Sequence, residues 1–325
     1  MSRALRLADG APGATIIGLG SAQPQRVVSN HELSQRVDTN DEWIRKRVGI
    51  VNRRIAGPEQ SLLDLASEAA GKAVADAGLS PSDIDTVLVA TCTMPTSIPH
   101  AASQVAERMG INAPGAFDLN AACAGFCYGL ATAADFVRSG SAGRVLVIGA
   151  EKLSDRVDWD DRSTCVIFAD GAGAVVVGAA EQPTIGPVAW GSAGELVEVI
   201  GTTDRGYIYQ EGQTVFRWAT SKISPVALRA IELAGLQPSD VDVLIPHQAN
   251  LRIIESIARQ LRAAGSRPDV VVADDIVESG NTSSASIPLA LDHMRSAGTV
   301  RSGDVLLLVG FGAGLTYAGQ VVICP

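Results

Sequence analysis

A long internal repeat constrains this chain more than any other feature. Ala77-Gly-Leu-Ser-Pro-Ser-Asp-Ile-Asp85 leads into the aliphatic run Thr86-Val-Leu-Val-Ala-Thr91. Ala234-Gly-Leu-Gln-Pro-Ser-Asp-Val-Asp242 leads into Val243-Leu-Ile-Pro246, with Gly235 and Gly78 separated by 235 − 78 = 157 residues. The register continues: Gly143-Arg-Val-Leu-Val-Ile-Gly149 resembles Gly303-Asp-Val-Leu-Leu-Leu-Val-Gly310, at 303 − 143 = 160 residues. Self-similarity at so long a period indicates a duplicated unit. In each copy a helical pattern, Leu62 to Ala77 or Ile223 to Ala234, comes before the repeat. An amphipathic helix, about Pro99 to Met109 or Leu251 to Ala263, comes after it. Final strand-like stretches run from Cys165 to Gly178 and from Gly314 to Cys324. Helix-linked aliphatic strands build mostly parallel sheet covered by helices. The expected fold is therefore α/β, two duplicated halves in a layered α-β-α-β-α sandwich, with halves at 14–180 and 185–325.

Several function classes fall away. Of 325 residues, 46% are hydrophobic and 19% charged, an ordinary globular balance. No run reaches the roughly 20 apolar residues that span a bilayer, so no membrane partner is expected. Net charge is −9 with a pI near 5.0, which disfavours general nucleic-acid binding. The five cysteines lack metal-ligand or disulfide spacing, so a reduced, cytoplasmic protein without a metal is expected. Residues 1–13 read as a loose leader, and Met1 to Arg6 carry no apolar signal core.

Three loops should converge, because sites in α/β folds form at the carboxyl ends of strands. The first holds Cys123, between the short strand Gly115 to Leu119, expected to be buried, and a small-residue helix from Ala124 to Val137. A thiol at a helix start feels partial positive charge, which favours the thiolate. The second holds His247, after the strand ending at Pro246. The third holds Asn281, in the turn Gly280-Asn-Thr-Ser-Ser-Ala-Ser286 that opens a helix. Singly, each has an ordinary structural explanation: a packed cysteine, a satisfied core histidine, a turn asparagine. Their coincidence in a duplicated frame favours a site.

On these motifs the chain resembles the thiolase-like condensing enzymes, and among them the beta-ketoacyl-acyl-carrier-protein synthase III type, with an actinobacterial priming flavour. The resemblance runs over about residues 14 to 325. It is carried by Asp41-Glu-Trp-Ile44, Ala121-Ala-Cys-Ala-Gly-Phe126, Asp170-Gly-Ala-Gly173, His247-Gln-Ala-Asn-Leu-Arg-Ile253 and Gly280-Asn-Thr-Ser283. It implies a Cys123-His247-Asn281 triad. Cys123 takes the acyl group from an acyl-CoA, and His247 and Asn281 stabilise the enolate formed when malonyl-acyl-carrier protein loses carbon dioxide. The backbone N–H groups of Cys123 and Ala313 form the oxyanion hole; many relatives have glycine at the latter place.

The resemblance further implies coenzyme A contacts from Trp43, Arg47, Arg162, Asn250 and Gly212. Trp43 as a core aromatic and Arg47 as a solvated charge are the ordinary alternatives. It implies an acyl pocket that includes Ile98, Leu153, Phe168 and Gln210, and a docking face for acyl carrier protein at Arg217, Arg252 and Arg259. No resident cofactor is implied, since acyl-CoA and malonyl-acyl-carrier protein are substrates. A homodimer is implied, in which Ile98 either caps the neighbour's pocket or packs inside its own subunit. The segment from Ser192 to Gly212 is shorter than in most relatives, and Gln210 stands where an apolar residue is common, so the starter acyl group stays open. The main rival reaction is acyl transfer to an alcohol, amine or carrier thiol without condensation. A non-catalytic scaffold and a cysteine hydrolase fit less well.

Overall fold

A computed structural model describes residues 8–325, so the expectations placed on Met1 to Leu7 lie outside the described residues. The first half runs β1 (Gly13–Ala22), β2 (Val27–Ser29), α1 (Asn30–Ser34), α2 (Asp41–Val48), β3 (Asn52–Arg54), α3 (Leu62–Asp76), β4 (Thr86–Ala90), α4 (Ala101–Met109), β5 (Gly115–Leu119), α5 (Gly125–Ser139), β6 (Arg144–Lys152) and β7 (Asp170–Ala180). The second runs β8 (Ile185–Ser192), β9 (Ile200–Thr202), β10 (Ile208–Gln210), α6 (Gly212–Leu233), β11 (Val243–Pro246), α7 (Leu251–Ala263), β12 (Val271–Val272), α8 (Ile276–Ser279), α9 (Ser286–Ser296), β13 (Val305–Gly312) and β14 (Thr316–Ile323).

The two five-stranded sheets match strand for strand. One has the order β1-β7-β6-β4-β5 and the other β8-β14-β13-β11-β12. In each, the three strands reached through helices are parallel, and the last two of the half close antiparallel. The α5 and α9 side chains Phe126, Leu130, Val137, Ile287 and Leu291 fill the space between the sheets, against Val147, Val175, Ile245 and Leu308. Helices α3 and α4 cover the outer face of the first sheet through Leu65, Ala69, Ala73 and Val105. Helices α6 and α7 cover the second through Ile223, Ala230, Ile257 and Leu261. These are five layers, α-β-α-β-α, and the small residues of α3 and α5 let helix and sheet approach closely. Among the described residues no helix is long and apolar enough to cross a membrane.

Local chemistry sets the helix starts. Ser61 and Asp64 form a reciprocal cap on α3, and Asn40 caps α2 by accepting the Trp43 N–H. Asp118 of β5 accepts the Ala101 and Ala102 N–H groups at 2.7 and 2.8 Å, which anchors α4 to the strand before Cys123.

Some expectations need correcting. β5 is not buried: it pairs only with β4 at the sheet edge, and its residues are part-exposed. Helix α6 starts eleven residues before Ile223, at Gly212, and carries Pro225 inside it. Its first turns mix Thr, Arg and Gln with apolar residues, so packing rather than pattern extends the helix. The strand expected from Cys165 starts only at Asp170, because Asp161 gathers the Ser163 and Thr164 hydroxyls into a turn. The leader is not loose at its end, since the Ala11 N–H donates to the Val137 carbonyl at 3.3 Å.

Candidate active site

The loops at Cys123, His247 and Asn281 line one cavity of about 1000 Å³. Each residue is placed by its strand end. Cys123 follows β5 on a single 3₁₀ turn, Ala122–Ala124, that runs directly into α5. Ala122 has φ +46°, a left-handed conformation that is costly for a residue with a Cβ. The Asn120 Oδ1 holds that turn by accepting the Ala122 N–H at 3.1 Å. Gly312, at the end of β13, is required here: a Cβ on it would lie 2.7 Å from the Cys123 nitrogen and 2.9 Å from its Cβ. The N–H groups of Cys123 and Ala313 have no backbone or side-chain acceptor elsewhere among the described residues.

Burial pushes the Cys123 thiol up to about 12, despite a lowering hydrogen bond with the Ser283 side chain. The expectation of a thiolate favoured by the helix start is therefore corrected. In the ligand-free site the desolvation cost of the anion outweighs the partial charge of the helix end, and the thiol keeps its proton.

His247 is 2% exposed, with its ring edge-on to Phe311 at 5.2 Å. Burial lowers its pKa to about 3, so the ring is neutral at ordinary pH. Nδ1 is 2.7 Å from the Ser286 Oγ, which also accepts the Gln248 N–H at 3.3 Å. Among the described residues the Ser286 hydroxyl has no other acceptor, so giving its proton to Nδ1 satisfies it and assigns the imidazole proton to Nε2. Asn281 is 5% exposed and is fixed by two backbone bonds to the Ile167–Ala169 segment, both 2.9 Å. Its Oδ1 accepts the Ser283 N–H at 2.8 Å, so its Nδ2 is the end left for a ligand. His247 and Asn281 thus each offer the cavity a neutral N–H donor.

Sequence reasoning missed the group beneath this site. Glu151 is completely buried and no cation pairs with it among the described residues. The hydroxyls of Thr91 (3.2 Å), Thr93 (2.5 Å), Ser283 (3.1 Å) and Ser284 (2.9 Å) surround its carboxyl, together with the Cys92 N–H at 3.2 Å. Burial raises its pKa, which these hydrogen bonds oppose. Ser286 was missed as well. Its only signal was its place in the serine-rich turn after Asn281.

The cavity's other lining residues separate into groups. Trp43 lies under two guanidiniums, Arg47 at 5.6 Å and Arg162 at 5.2 Å, and Arg162 also donates to the Asp38 carbonyl at 2.7 Å. The Asn250 side chain caps α7 and donates to the Arg47 carbonyl at 3.1 Å, so most of its hydrogen-bonding capacity serves the fold. Gly212 opens α6 with free space around its Cα. Leu153, Phe168 and Gln210 line the cavity, the first two buried. Ile98 does not line it and is 84% exposed, which removes the alternative of Ile98 packed in its own subunit. Arg217 and Arg252 lie at the cavity, with Arg252 over the Phe216 ring at 4.8 Å, whereas Arg259 is exposed on α7 outside it.

Comparisons with known proteins point to one family. The sequence profile of 3-oxoacyl-[acyl-carrier-protein] synthase III matches residues 117–194, and that of its C-terminal part matches residues 231–324. The chain is 52% identical over 319 residues to beta-ketoacyl-[acyl-carrier-protein] synthase III 4 of Streptomyces coelicolor, covering 96% of this chain and 99% of that one. It is 48% identical over 328 residues to the mycobacterial beta-ketoacyl-[acyl-carrier-protein] synthase III of Mycobacterium avium, covering 96% and 97%. Among solved structures it superposes on a priming beta-ketosynthase from a polyketide biosynthetic pathway with TM-score 0.95, 40% identity and 99% coverage of both chains. The synthase III of Aquifex aeolicus gives TM-score 0.91 at 42% identity, covering 96% of this chain and 100% of that one.

Proposed function

Because the chain belongs to the 3-oxoacyl-[acyl-carrier-protein] synthase III family, we propose that it joins an acyl-CoA starter to malonyl-acyl-carrier protein by decarboxylative condensation. The observation that carries this reading is the pair of neutral donors, His247 Nε2 and Asn281 Nδ2, facing the cavity that holds Cys123. Simple acyl transfer does not need such a pair, and is the less favoured alternative.

In the first half-reaction the Cys123 sulfur attacks the acyl-CoA carbonyl. The bond from carbon to the coenzyme A sulfur breaks, and the departing thiolate takes up the proton that Cys123 gives away. The Cys123 and Ala313 N–H groups, lacking protein partners, suit the tetrahedral oxyanion. In the second, the malonyl carboxylate leaves as carbon dioxide and its bonding electrons form an enolate. Two neutral donors stabilise the charge on the thioester oxygen. A protonated His247 would add a charge, but its burial makes the ring neutral. The enolate carbon attacks the acyl carbonyl, the bond to Cys123 breaks, and the departing thiolate takes up one proton from solvent, which restores the thiol.

Coenzyme A is assigned to the mouth formed by Trp43, Arg47, Arg162, Asn250 and Gly212. The exposed Arg217, Arg252 and Arg259 are assigned to the acidic carrier protein. Leu153, Phe168 and Gln210 are assigned to the acyl chain, with the partner's copy of Ile98 closing its end in a homodimer. No resident cofactor enters the scheme. Five unpaired cysteines fit a cytoplasmic setting.

The test separates the half-reactions. With malonyl-acyl-carrier protein and an acyl-CoA panel, carbon dioxide and a 3-oxoacyl product are expected. Asn281→Asp should slow condensation by about 10²–10³-fold, the usual cost of losing one such donor. Acylation of Cys123 should change only a few-fold. Equal loss in both half-reactions would remove the assigned division of labour.

A further inference from the structure

Five arginines line the cavity, and four of them are exposed to water. The fifth, Arg156, is half-buried. It follows Leu153 on the loop after β6, and its carbonyl accepts the Ile208 N–H at 2.8 Å, which ties it to the β9–β10 hairpin. Its guanidinium donates to the Met94 carbonyl at 3.4 Å. At Gly206 of the same hairpin, a Cβ would stand 3.3 Å from its Nη1. The adjacent Asp155 is paired with Lys152 at 3.3 Å instead. Among the described residues no carboxylate comes within 4.0 Å of Arg156. A half-buried cation with one long bond to a neutral carbonyl is under-compensated.

Its position says which part of the ligand could supply the missing charge. Met94 lies two residues beyond Cys92, whose Sγ is 4.0 Å from the Ser283 Oγ beside the nucleophile. Arg156 is thus fastened to the segment on the acyl side of Cys123, not to α2 with its Trp43 and Arg47. Gln210, on the same hairpin, is half-buried, and its side-chain amide has no protein partner among the described residues. Around them Leu153, Ile208 and Phe168 supply an apolar wall. Such a lining suits a short methylene chain that ends in a planar anion. A guanidinium binds a carboxylate through two parallel hydrogen bonds.

We propose that the starter is the coenzyme A monothioester of a short α,ω-dicarboxylic acid, and that Arg156, with Gln210, selects it by its free carboxylate. This rests on the condensation reading and specifies its first substrate. Transfer follows the thioester exchange above: the new bond joins the acyl carbon to Cys123 sulfur, coenzyme A leaves as the thiol, and the distal carboxylate is unchanged.

The experiment compares isosteric pairs in which two methyl groups replace the carboxylate oxygens. Succinyl-CoA is set against 4-methylpentanoyl-CoA, and glutaryl-CoA against 5-methylhexanoyl-CoA, with Cys123 acylation followed by intact mass. The dicarboxylic member of at least one pair should react about tenfold faster or more, the usual weight of a charge-assisted hydrogen bond. Arg156→Gln should invert that ratio, and Arg156→Lys should keep part of it, with thermal melting of both variants verifying the fold. A wild-type preference for the branched member of both pairs, or a ratio unmoved by Arg156→Gln, overturns the inference. Branched acyl groups that load faster than their dicarboxylic partners and then condense would overturn the starter assignment alone. Failure of Cys123 to accept either dicarboxylic group while another acyl-CoA of the panel loads it would likewise overturn only the starter assignment, whereas failure to accept any acyl-CoA of the panel would overturn the condensation reading with it.

Discussion

Ala122 and Ser283 hold the same place in the two halves, 283 − 122 = 161 positions apart, and both have left-handed backbone, with φ of +46° and +51°. Each begins a 3₁₀ turn that runs into a central helix, α5 or α9. The nucleophile turn is therefore built twice. The first copy presents Cys123 to the cavity. The second puts Ser284 in the equivalent position, where it bonds the Ala90 carbonyl at 2.8 Å and faces Glu151.

The strained angle at Ala122 makes a directional prediction. Left-handed backbone costs a non-glycine residue about 1–2 kcal/mol. Ala122→Gly should leave the melting temperature and Cys123 acylation close to wild type, because relieved strain and added chain entropy offset each other. Ala122→Val should lower the melting temperature and slow acylation more than tenfold, since a branched Cβ cannot hold this φ. Wild-type acylation in the valine variant would show that the turn does not control the sulfur.

The protonated resting thiol predicts a pH profile. With its pKa raised to about 12, the thiolate fraction of Cys123 grows about tenfold per pH unit through the neutral range. Alkylation of the ligand-free enzyme by iodoacetamide, a neutral reagent, should rise with that slope from pH 6 to 9 and show no plateau. A plateau near pH 7 to 8 would mean that the helix start outweighs burial after all.

Much of the architecture was legible because it is written twice. The paired Ala-Gly-Leu-x-Pro-Ser-Asp segments locate β4 and β11, and the strand ends then bring Cys123, His247 and Asn281 to one place. What was not legible depends on contacts between distant segments. Glu151 carries no signal in the sequence beside Lys152, yet it is buried because hydroxyls from two other loops supply its hydrogen bonds. Which serine of the Ser283 to Ser286 run meets His247 depends on the 3₁₀ turn. The thiol pKa depends on how completely the folded cavity excludes water.

Glu151 gives the third prediction. A buried carboxyl with a raised pKa holds its proton at a pH where the unfolded chain has released it. Its stabilising contribution is therefore present at low pH and is lost as pH rises through the native pKa. Glu151→Gln keeps the shape without the titration, so its stability should fall less than that of wild type as pH rises from about 4. Glu151→Leu strands the surrounding donors, at about 1–3 kcal/mol for each one left unsatisfied. It should melt well below the glutamine variant and lose acylation, because Ser283 and Ser284 lose their anchor. Equal melting temperatures for the leucine and glutamine variants would show that the hydroxyl network contributes nothing.

The last prediction concerns the exposed edge beside the nucleophile. β5 pairs on one side only, and Ile98, on the loop before α4, leaves 84% of its surface in water. An open, partly apolar edge of this kind invites pairing with another chain. Two copies joined across β5 would continue one sheet through both subunits and hold the Asp118 anchor of α4 in place. Ile98 from one subunit is then expected to close the far end of its partner's acyl pocket. Ile98→Ala should admit acyl-CoAs longer by two or three carbons, and Ile98→Phe should exclude all but the shortest, as read by Cys123 acylation rates across chain length. Sedimentation should show a dimer for wild type and both variants, since one side chain is a small part of an interface of standard size, about 800 Å² per partner. A wild-type monomer, or the same chain-length profile in all three proteins, would leave Ile98 without this role.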